Sequence, residues 1–222
     1  MSKTYQERLE TELYLLRELQ NCPGMRDVIT IYYIPFGGTG EWVPISTPGI
    51  MNPIECNIKV RYKMPMYVCP KGKLKKDWQS TVRFKVTEEA LLGNGNLGVE
   101  IEGADFPDDS IPFNKHVKQG WICTGDLWSK TAKPRVKDNY YGGIYHFVVA
   151  IGQLFNLDKE VINPIGDHLN AEASAFYENT RHHKPTNNID WPKDIKLRNS
   201  RPSFTIKPAP LTKPKFTIKP LK

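Results

Sequence analysis

The stretch from residue 113 to residue 128 reads FNKHVKQGWICTGDLW and contains one cysteine, Cys123. This thiol follows a large apolar pair and precedes a Thr-Gly-Asp turn signal, so we expect it where an extended segment ends and solvent begins. A reactive cysteine needs such a position, because exposure lets a substrate reach the sulfur and nearby cations can lower its pKa. Lys115, His116 and Lys118 are candidate cations. The alternative is a free cysteine packed as a small hydrophobic side chain.

The composition indicates a globular domain with an appendage, since 222 residues with 39% hydrophobic content suffice for a full core. The four cysteines are widely spaced and form no Cys-x-x-Cys pair, which argues against a zinc site and against a disulfide framework. We therefore expect a reducing, cytoplasmic environment, with no metal and no cofactor. The polar start leads into an amphipathic pattern, and no apolar run is long enough to span a bilayer, so we expect no membrane association.

The formal net charge of +7 is concentrated in the last thirty residues. Residues 193–222 hold nine Lys/Arg and one acid, whereas residues 1–192 hold 22 basic and 23 acidic residues. We predict a domain over 1–192 and a flexible, Lys/Pro-rich tail over 193–222. The tail repeats Phe-Thr-Ile-Lys-Pro at 204–208 and 216–220. These repeats either add to a sheet edge of this protein or a partner, or form a solubilising linker. The tail lacks interleaved aromatic residues, so we do not expect a nucleic-acid partner for the protein.

Hydrophobic periodicity predicts an α+β fold. A capping box at Thr4 and Glu7 begins an amphipathic helix that Pro23-Gly24 ends, and a second apolar helix face runs from Ile144 to Phe155. Asn170 can cap a third helix. The prediction is an N-terminal helix packed on a four-stranded antiparallel meander, followed by a loop with Cys123 and C-terminal helices. The predicted strands are 28–34, 54–63, 82–87 and 97–102.

Two motifs carry a resemblance to a known family. Residues 120–123 read Gly-Trp-Ile-Cys, and residues 167–173 read Asp-His-Leu-Asn-Ala-Glu-Ala. In this order of elements, they resemble the ubiquitin-conjugating enzymes, in which Gly-x-Ile-Cys surrounds the catalytic cysteine and Asp-Pro-Leu-Asn-x-Glu-Ala borders the active site. The prolines at 107 and 112 are similar to the family's Pro-rich loop, more weakly. The resemblance covers residues 4–183 and is nearest to the bacterial conjugating enzymes encoded beside ubiquitin-like modifiers in antiphage defence systems.

The resemblance implies a UBC-like fold and a thioester mechanism. Cys123 would take a ubiquitin-like modifier from an activating enzyme and transfer it to an amine of a protein substrate. Asp167 stands at the family's position for the carboxylate that assists the incoming lysine. The alternative for Asp167 is a turn or cap residue beside Gly166.

The chain departs from the family at three points. The family's His-Pro-Asn triplet is absent, and Asn114 and His116 are the nearest candidates for the oxyanion donor. His168 stands where the family has proline, and the insertion between Cys123 and the next helix is longer than expected. For His116 the alternative is a solvated loop histidine. For the whole protein, the alternatives are a catalytically inactive, conjugating-enzyme-like binding module and a Cys/His thiol hydrolase.

Overall fold

The computed structural model describes residues 5–51, 56–69, 73–86, 99–107, 110–124, 143–155, 169–173, 175 and 189–192. The architecture is mixed α+β. Helix α1 spans Tyr5–Asn21 and helix α2 spans Gly143–Phe155. The strands are β1 (Ile29–Tyr33), β2 (Val43–Pro44), β3 (Asn57–Val68), β4 (Lys73–Lys85), β5 (Glu100–Asp105), β6 (Val117–Lys118) and β7 (Trp121–Ile122). Thr4, the stretch at 125–142 that holds the insertion after Cys123, and the tail at 193–222 lie outside the described residues.

The main sheet is antiparallel with the strand order β2-β1-β3-β4-β5. The sequence predicted four of these strands, and the prediction missed β2, whose two residues pair with the end of β1. A proline can occupy this edge position because an edge strand leaves one side of its backbone unpaired. The predicted start of β4 at residue 82 was also wrong, since the strand begins at Lys73. Its first five residues are mostly exposed and show no apolar alternation.

Both helices pack on one side of the sheet. The leucines of α1 at 9, 13, 16 and 19 are all buried, as the helical spacing predicted. Helix α2 is buried almost all round, because it contacts α1 and β3. The hydroxyl of Tyr62 on β3 donates a 2.8 Å hydrogen bond to the carbonyl of Val148, which fixes α2 against the sheet. No helix within the described ranges is long and apolar enough to cross a membrane.

A buried carboxylate joins the two helices. Glu12 lies on α1 with 3% of its surface exposed. Its Oε1 accepts a hydrogen bond from the Gly143 amide at 2.8 Å, and its Oε2 accepts one from the Ile144 amide at 3.2 Å. The first amides of a helix have no partner within the helix, and the positive end of the helix dipole favours an anion. Glu12 therefore caps α2 from a distant part of the chain.

The segment 189–192 closes the other side of α2. The Trp191 indole lies directly against Gly152, where an added methyl group would overlap the ring. The Tyr145 hydroxyl donates a 2.7 Å hydrogen bond to the carbonyl of Pro192. Trp191 and Pro192 are thus packed against α2.

This contact predicts how Gly152→Ala will behave. The added methyl group should lower the free energy of unfolding by about 1 to 3 kcal/mol, because it forces the indole away from α2. Adding Trp191→Phe should make the double variant more stable than the sum of the two single changes, since the smaller ring leaves room for the methyl group. Urea unfolding of the four proteins measures this coupling. If the effects of the two substitutions on the free energy of unfolding simply added, the contact between Trp191 and residue 152 would be contradicted.

Candidate active site

The loop that leads to Cys123 is fastened to the end of β3 and to the middle of β4. The Cys69 amide donates to the Ile111 carbonyl at 2.8 Å, and the Phe113 amide donates to the Tyr67 carbonyl at 2.7 Å. The indole N–H of Trp78 donates to the Ser110 carbonyl at 2.7 Å. The prolines at 107 and 112 cannot donate to a strand ladder, so these three bonds give the loop its fixed path.

Asn114 organises the turn that follows. Its side chain is 1% exposed, and its Nδ2 donates to the Leu154 carbonyl near the end of α2 at 2.9 Å. Its Oδ1 accepts from the His116 amide at 2.8 Å, and its own carbonyl accepts from the Val117 amide at 3.1 Å. An Asn side chain that bonds to the backbone two residues ahead stabilises a tight turn. Asn114 therefore holds the turn against the end of α2.

A two-stranded hairpin then presents the cysteine. Strands β6 and β7 pair antiparallel, and Gly120 has a φ of 71° in their connection, a conformation that favours glycine. Cys123 comes directly after β7, is half-buried, and donates its amide to the His116 carbonyl at 2.8 Å. Trp121, two residues before it, is 73% exposed. The thiol thus follows a short extended segment that carries an exposed aromatic ring.

The structure brings the two sequence motifs together on adjacent peptide groups. The Lys115 carbonyl accepts the Asn170 amide at 3.1 Å, and the next carbonyl, that of His116, accepts the Cys123 amide. Asn170 also caps the following helical turn through its Oδ1, which accepts from the Ala173 amide at 3.0 Å. Its Nδ2 donates to the Cys69 sulfur at 3.2 Å. The sequence predicted the cap, but it gave no signal for the contacts of Asn170 with Lys115 and Cys69.

The structure places the other candidate residues differently from Cys123. His116 is fully buried, so the alternative of a solvated loop histidine is wrong. Asn114 is buried as well, and the side chains of both residues lie inside the scaffold that carries the cysteine. Their assignment as oxyanion donors stays a prediction. Asp167 and His168 lie outside the described residues, whereas Asn170 of the same motif is described.

The other three cysteines are poor nucleophiles at neutral pH. Burial, reinforced by the Glu12 carboxylate, strongly raises the pKa of Cys56, which lies in the core. Burial and the charge of Glu18 raise the pKa of Cys22. At Cys69, burial raises the pKa and outweighs the hydrogen bond from Asn170, which acts in the opposite direction. Because the thiolate is the nucleophile, each of these sulfurs is less reactive than an ordinary thiol.

These shifts predict the pH dependence of alkylation. A pH of about 7 is far below the raised pKa values of Cys22, Cys56 and Cys69, so their thiols are almost fully protonated. Cys123 should therefore react first with iodoacetamide. As the pH rises toward those pKa values, Cys22 and Cys69 gain thiolate and the selectivity should fall. Peptide mapping after brief labelling at several pH values measures this, with Cys123→Ala as the control. Cys69 labelling as fast as Cys123 at neutral pH would contradict the prediction.

No protein-family model, curated protein or solved structure matches the chain. The resemblance to the conjugating enzymes therefore rests on the motif residues and on the geometry that joins them.

Proposed function

We propose that the protein is a ubiquitin-like-protein conjugating enzyme with a UBC-like domain and that Cys123 carries the modifier. The observation that carries this proposal is the meeting of the two motifs, Gly-Trp-Ile-Cys and Leu-Asn-Ala-Glu-Ala, on the adjacent carbonyls of Lys115 and His116. An N-terminal helix on an antiparallel sheet supports it. The raised pKa values of the other three cysteines support the choice of Cys123.

The reaction consists of two acyl transfers. In the first, the Cys123 thiolate attacks the thioester between the modifier's C-terminal carbonyl and the activating enzyme, a new C–S bond forms, and the enzyme's thiolate leaves. In the second, an amine of a protein substrate attacks the new thioester, a C–N bond forms, and the Cys123 thiolate leaves. The amine loses its proton to a base. We propose Asp167 for this step.

Each transfer passes through an intermediate with an oxyanion, and losing one donor to it typically slows a reaction about a hundredfold or more. We retain Asn114 and His116 as the candidate donors. The Asn114 amide nitrogen carries two hydrogens, and one of them is directed to the Leu154 carbonyl. Asn114 can therefore hold the turn and still donate once more.

The proposed function is tested by isolating the adduct. The protein is purified from its own cells under acidic, non-reducing conditions and compared with and without a thiol reductant. We expect a slower-migrating species that the reductant removes. Peptide mapping should place the C-terminal carboxyl group of a small protein on Cys123. An adduct on another cysteine, or failure of a purified modifier and activating enzyme to charge the protein with ATP, would overturn the proposed function.

Asp167→Asn should separate accepting the modifier from giving it away. An acceptor lysine has a reference pKa near about 10.4 and is almost entirely protonated at neutral pH, so it needs a base. Charging uses a thiolate as the nucleophile and needs none. The variant should therefore charge normally and discharge slowly to free lysine at neutral pH, and the defect should shrink as the pH rises. Single-turnover discharge at several pH values measures this, and normal discharge at neutral pH would leave Asp167 as a turn residue.

A further inference from the structure

The β3–β4 pair carries a concentration of positive charge that the composition of the body conceals. Its two strands hold eight Lys/Arg and a single acid, Asp77. Of the 22 basic and 23 acidic residues in 1–192, only 14 basic residues but 22 acidic residues lie elsewhere. Residues 1–192 are therefore nearly neutral as a whole, but the β3–β4 pair is strongly basic and the rest of these residues is acidic. Charge separation of this kind produces a local potential that attracts anionic partners.

Five of these cations share the solvent-facing side of the sheet. On β3, the residues at 58, 60 and 62 point into the core and are fully buried, so the alternating residues face away from the helices. Cross-strand pairing places Lys59 opposite Arg83 and Asn57 opposite Lys85. We call this set the basic face; its members are Lys59, Arg61, Lys63, Arg83 and Lys85.

Among the described residues, the basic face is only partly neutralised, and the strand register places Glu100 of β5 opposite Lys85. Arg83 forms a 2.7 Å ion pair with Asp105 on the edge strand β5. Arg61 donates to the Thr30 hydroxyl at 3.1 Å, a neutral partner that orients the guanidinium without cancelling its charge. Burial, and then the charge of Arg83, lower the pKa of Lys59, while the charge of Asp105 acts in the opposite direction.

Two aromatic rings border this face. The Lys59 ammonium lies 5.0 Å from the ring centroid of Tyr32 and 4.8 Å from that of Trp42. Both rings are partly exposed. A cation over a ring face is held by the ring's negative quadrupole, an attraction of modest strength at an accessible site. A stronger anion can therefore draw the ammonium away and uncover the rings.

We propose that the basic face binds single-stranded nucleic acid without sequence preference. Phosphates would pair with Arg61 and Lys63, and bases would stack on Tyr32 and Trp42 once the Lys59 ammonium turns to a phosphate. Alternate side chains on a strand lie about 6.8 Å apart, which gives a linear row of cations suited to a linear chain of phosphates. Basic tracks with flanking aromatic rings are the usual means of binding single strands. This inference does not depend on the proposed thioester chemistry.

An acidic protein surface is the less suitable ligand. It would use the cations, but it gives no role to a pair of aromatic rings placed at the end of the cationic row. The sequence of the tail gave no indication of a nucleic-acid partner because its aromatic residues are not interleaved with its charges. The aromatic residues required lie instead on β1 and just before β2, and only the folded sheet brings them to Lys59.

The test is fluorescence anisotropy of the full chain with a labelled oligo-dT of about 15 nucleotides, at about 50 and about 200 mM salt. Arg61→Ala/Lys63→Ala removes two cations from the face, and Lys207→Ala/Lys219→Ala removes two from the tail as the matched control. The face variant should reduce the slope of log affinity against log salt by about 1.4, the value for two phosphate contacts on a single strand. The tail variant should reduce it less. Trp42→Ala should weaken binding roughly fivefold to hundredfold, the range for one stacked base.

Three results would overturn the inference. The first is undetectable binding at low salt. The second is an equal reduction of the salt slope in the face and tail variants, because binding would then depend only on the net charge of the protein. Trp42→Ala binding as tightly as the wild type, together with equal competition by polyglutamate of the same charge, would instead identify an acidic polypeptide as the ligand. The side chains of Arg61 and Lys63 are exposed, so their replacement should leave the fold intact. Circular dichroism of each variant verifies this.

Discussion

Cys123→Ala should abolish charging with the modifier, whereas Cys69→Ala should charge near the wild-type rate. Cys69 is the sharpest control available, because it lies on the same scaffold and accepts a hydrogen bond from Asn170 of the second motif. Burial raises the pKa of its thiol and keeps it protonated at neutral pH, and a thiol attacks a thioester far more slowly than a thiolate. The two variants therefore show whether Cys123 alone is the nucleophile or whether another cysteine near the site can also accept the modifier.

The measurement is a charging assay with activating enzyme, modifier and ATP, resolved with and without reductant. Cys123→Ser provides a second readout, because an oxygen ester survives the reductant that cleaves a thioester. A wild-type adduct lost on reduction, a serine adduct that persists and an inactive alanine variant would together identify the attacking atom. Charging of Cys123→Ala at the wild-type rate would refute the assignment of Cys123, even if the protein proves to be a carrier.

Glu12→Ala should produce the largest loss of stability among the substitutions considered. It removes both acceptors from the buried amides of Gly143 and Ile144, and each buried donor left without an acceptor costs about 1 to 3 kcal/mol. We therefore expect the free energy of unfolding to fall by roughly 2 to 5 kcal/mol, a large part of the total for a domain. Glu12→Gln keeps one acceptor oxygen and should fall between the variant and the wild type.

Urea unfolding measures these changes, and Glu10→Ala on the same helix is the matched control. Within the described part of the chain, the Glu10 carboxylate accepts a 3.3 Å hydrogen bond from Gln6 one turn away, so its removal should change the stability by less than about 1 kcal/mol. Equal losses in Glu10→Ala and Glu12→Ala would mean that the cap on α2 contributes nothing. A selective loss at Glu12 with intact α1 would locate the effect at the junction of the two helices.

Helices and strands with one buried side and one exposed side were predictable from the local periodicity of apolar residues. The leucines of α1, the alternation of β3 and the apolar face of α2 were all identified, because burial imposes a period on the sequence. Strand β2 and the first part of β4 were missed because hydrogen bonding to a neighbour holds them, and such pairing leaves no apolar period. Glu12 did leave a signal, since it is the one charge within the leucine stripe of α1.

The candidate site also combines features that the sequence predicts with features that it does not. The position of Cys123 could be inferred from a short motif and a turn signal. The burial of Asn114 and His116 could not, because it depends on the end of α2, and Leu154 lies 40 residues from Asn114 along the chain. The hydrogen bond between the Asn170 amide and the Lys115 carbonyl likewise joins backbone atoms that are distant in sequence, and it does not depend on either side chain. Backbone contacts between distant segments carry no residue preference that a sequence pattern can register.

The cap on α2 also determines the order of events on the ribosome. Glu12 is made 131 residues before its partner Gly143. At translation rates of about 5 to 20 residues per second, roughly 7 to 26 seconds pass before the first residue of α2 is made. During this interval the carboxylate stays hydrated and the leucine stripe of α1 has no helix to pack against. Strand β1, which α1 also contacts, is made within the first 33 residues, so the side of α1 that packs on β1 can be covered early. The side that packs on α2 stays open to chaperones until α2 emerges.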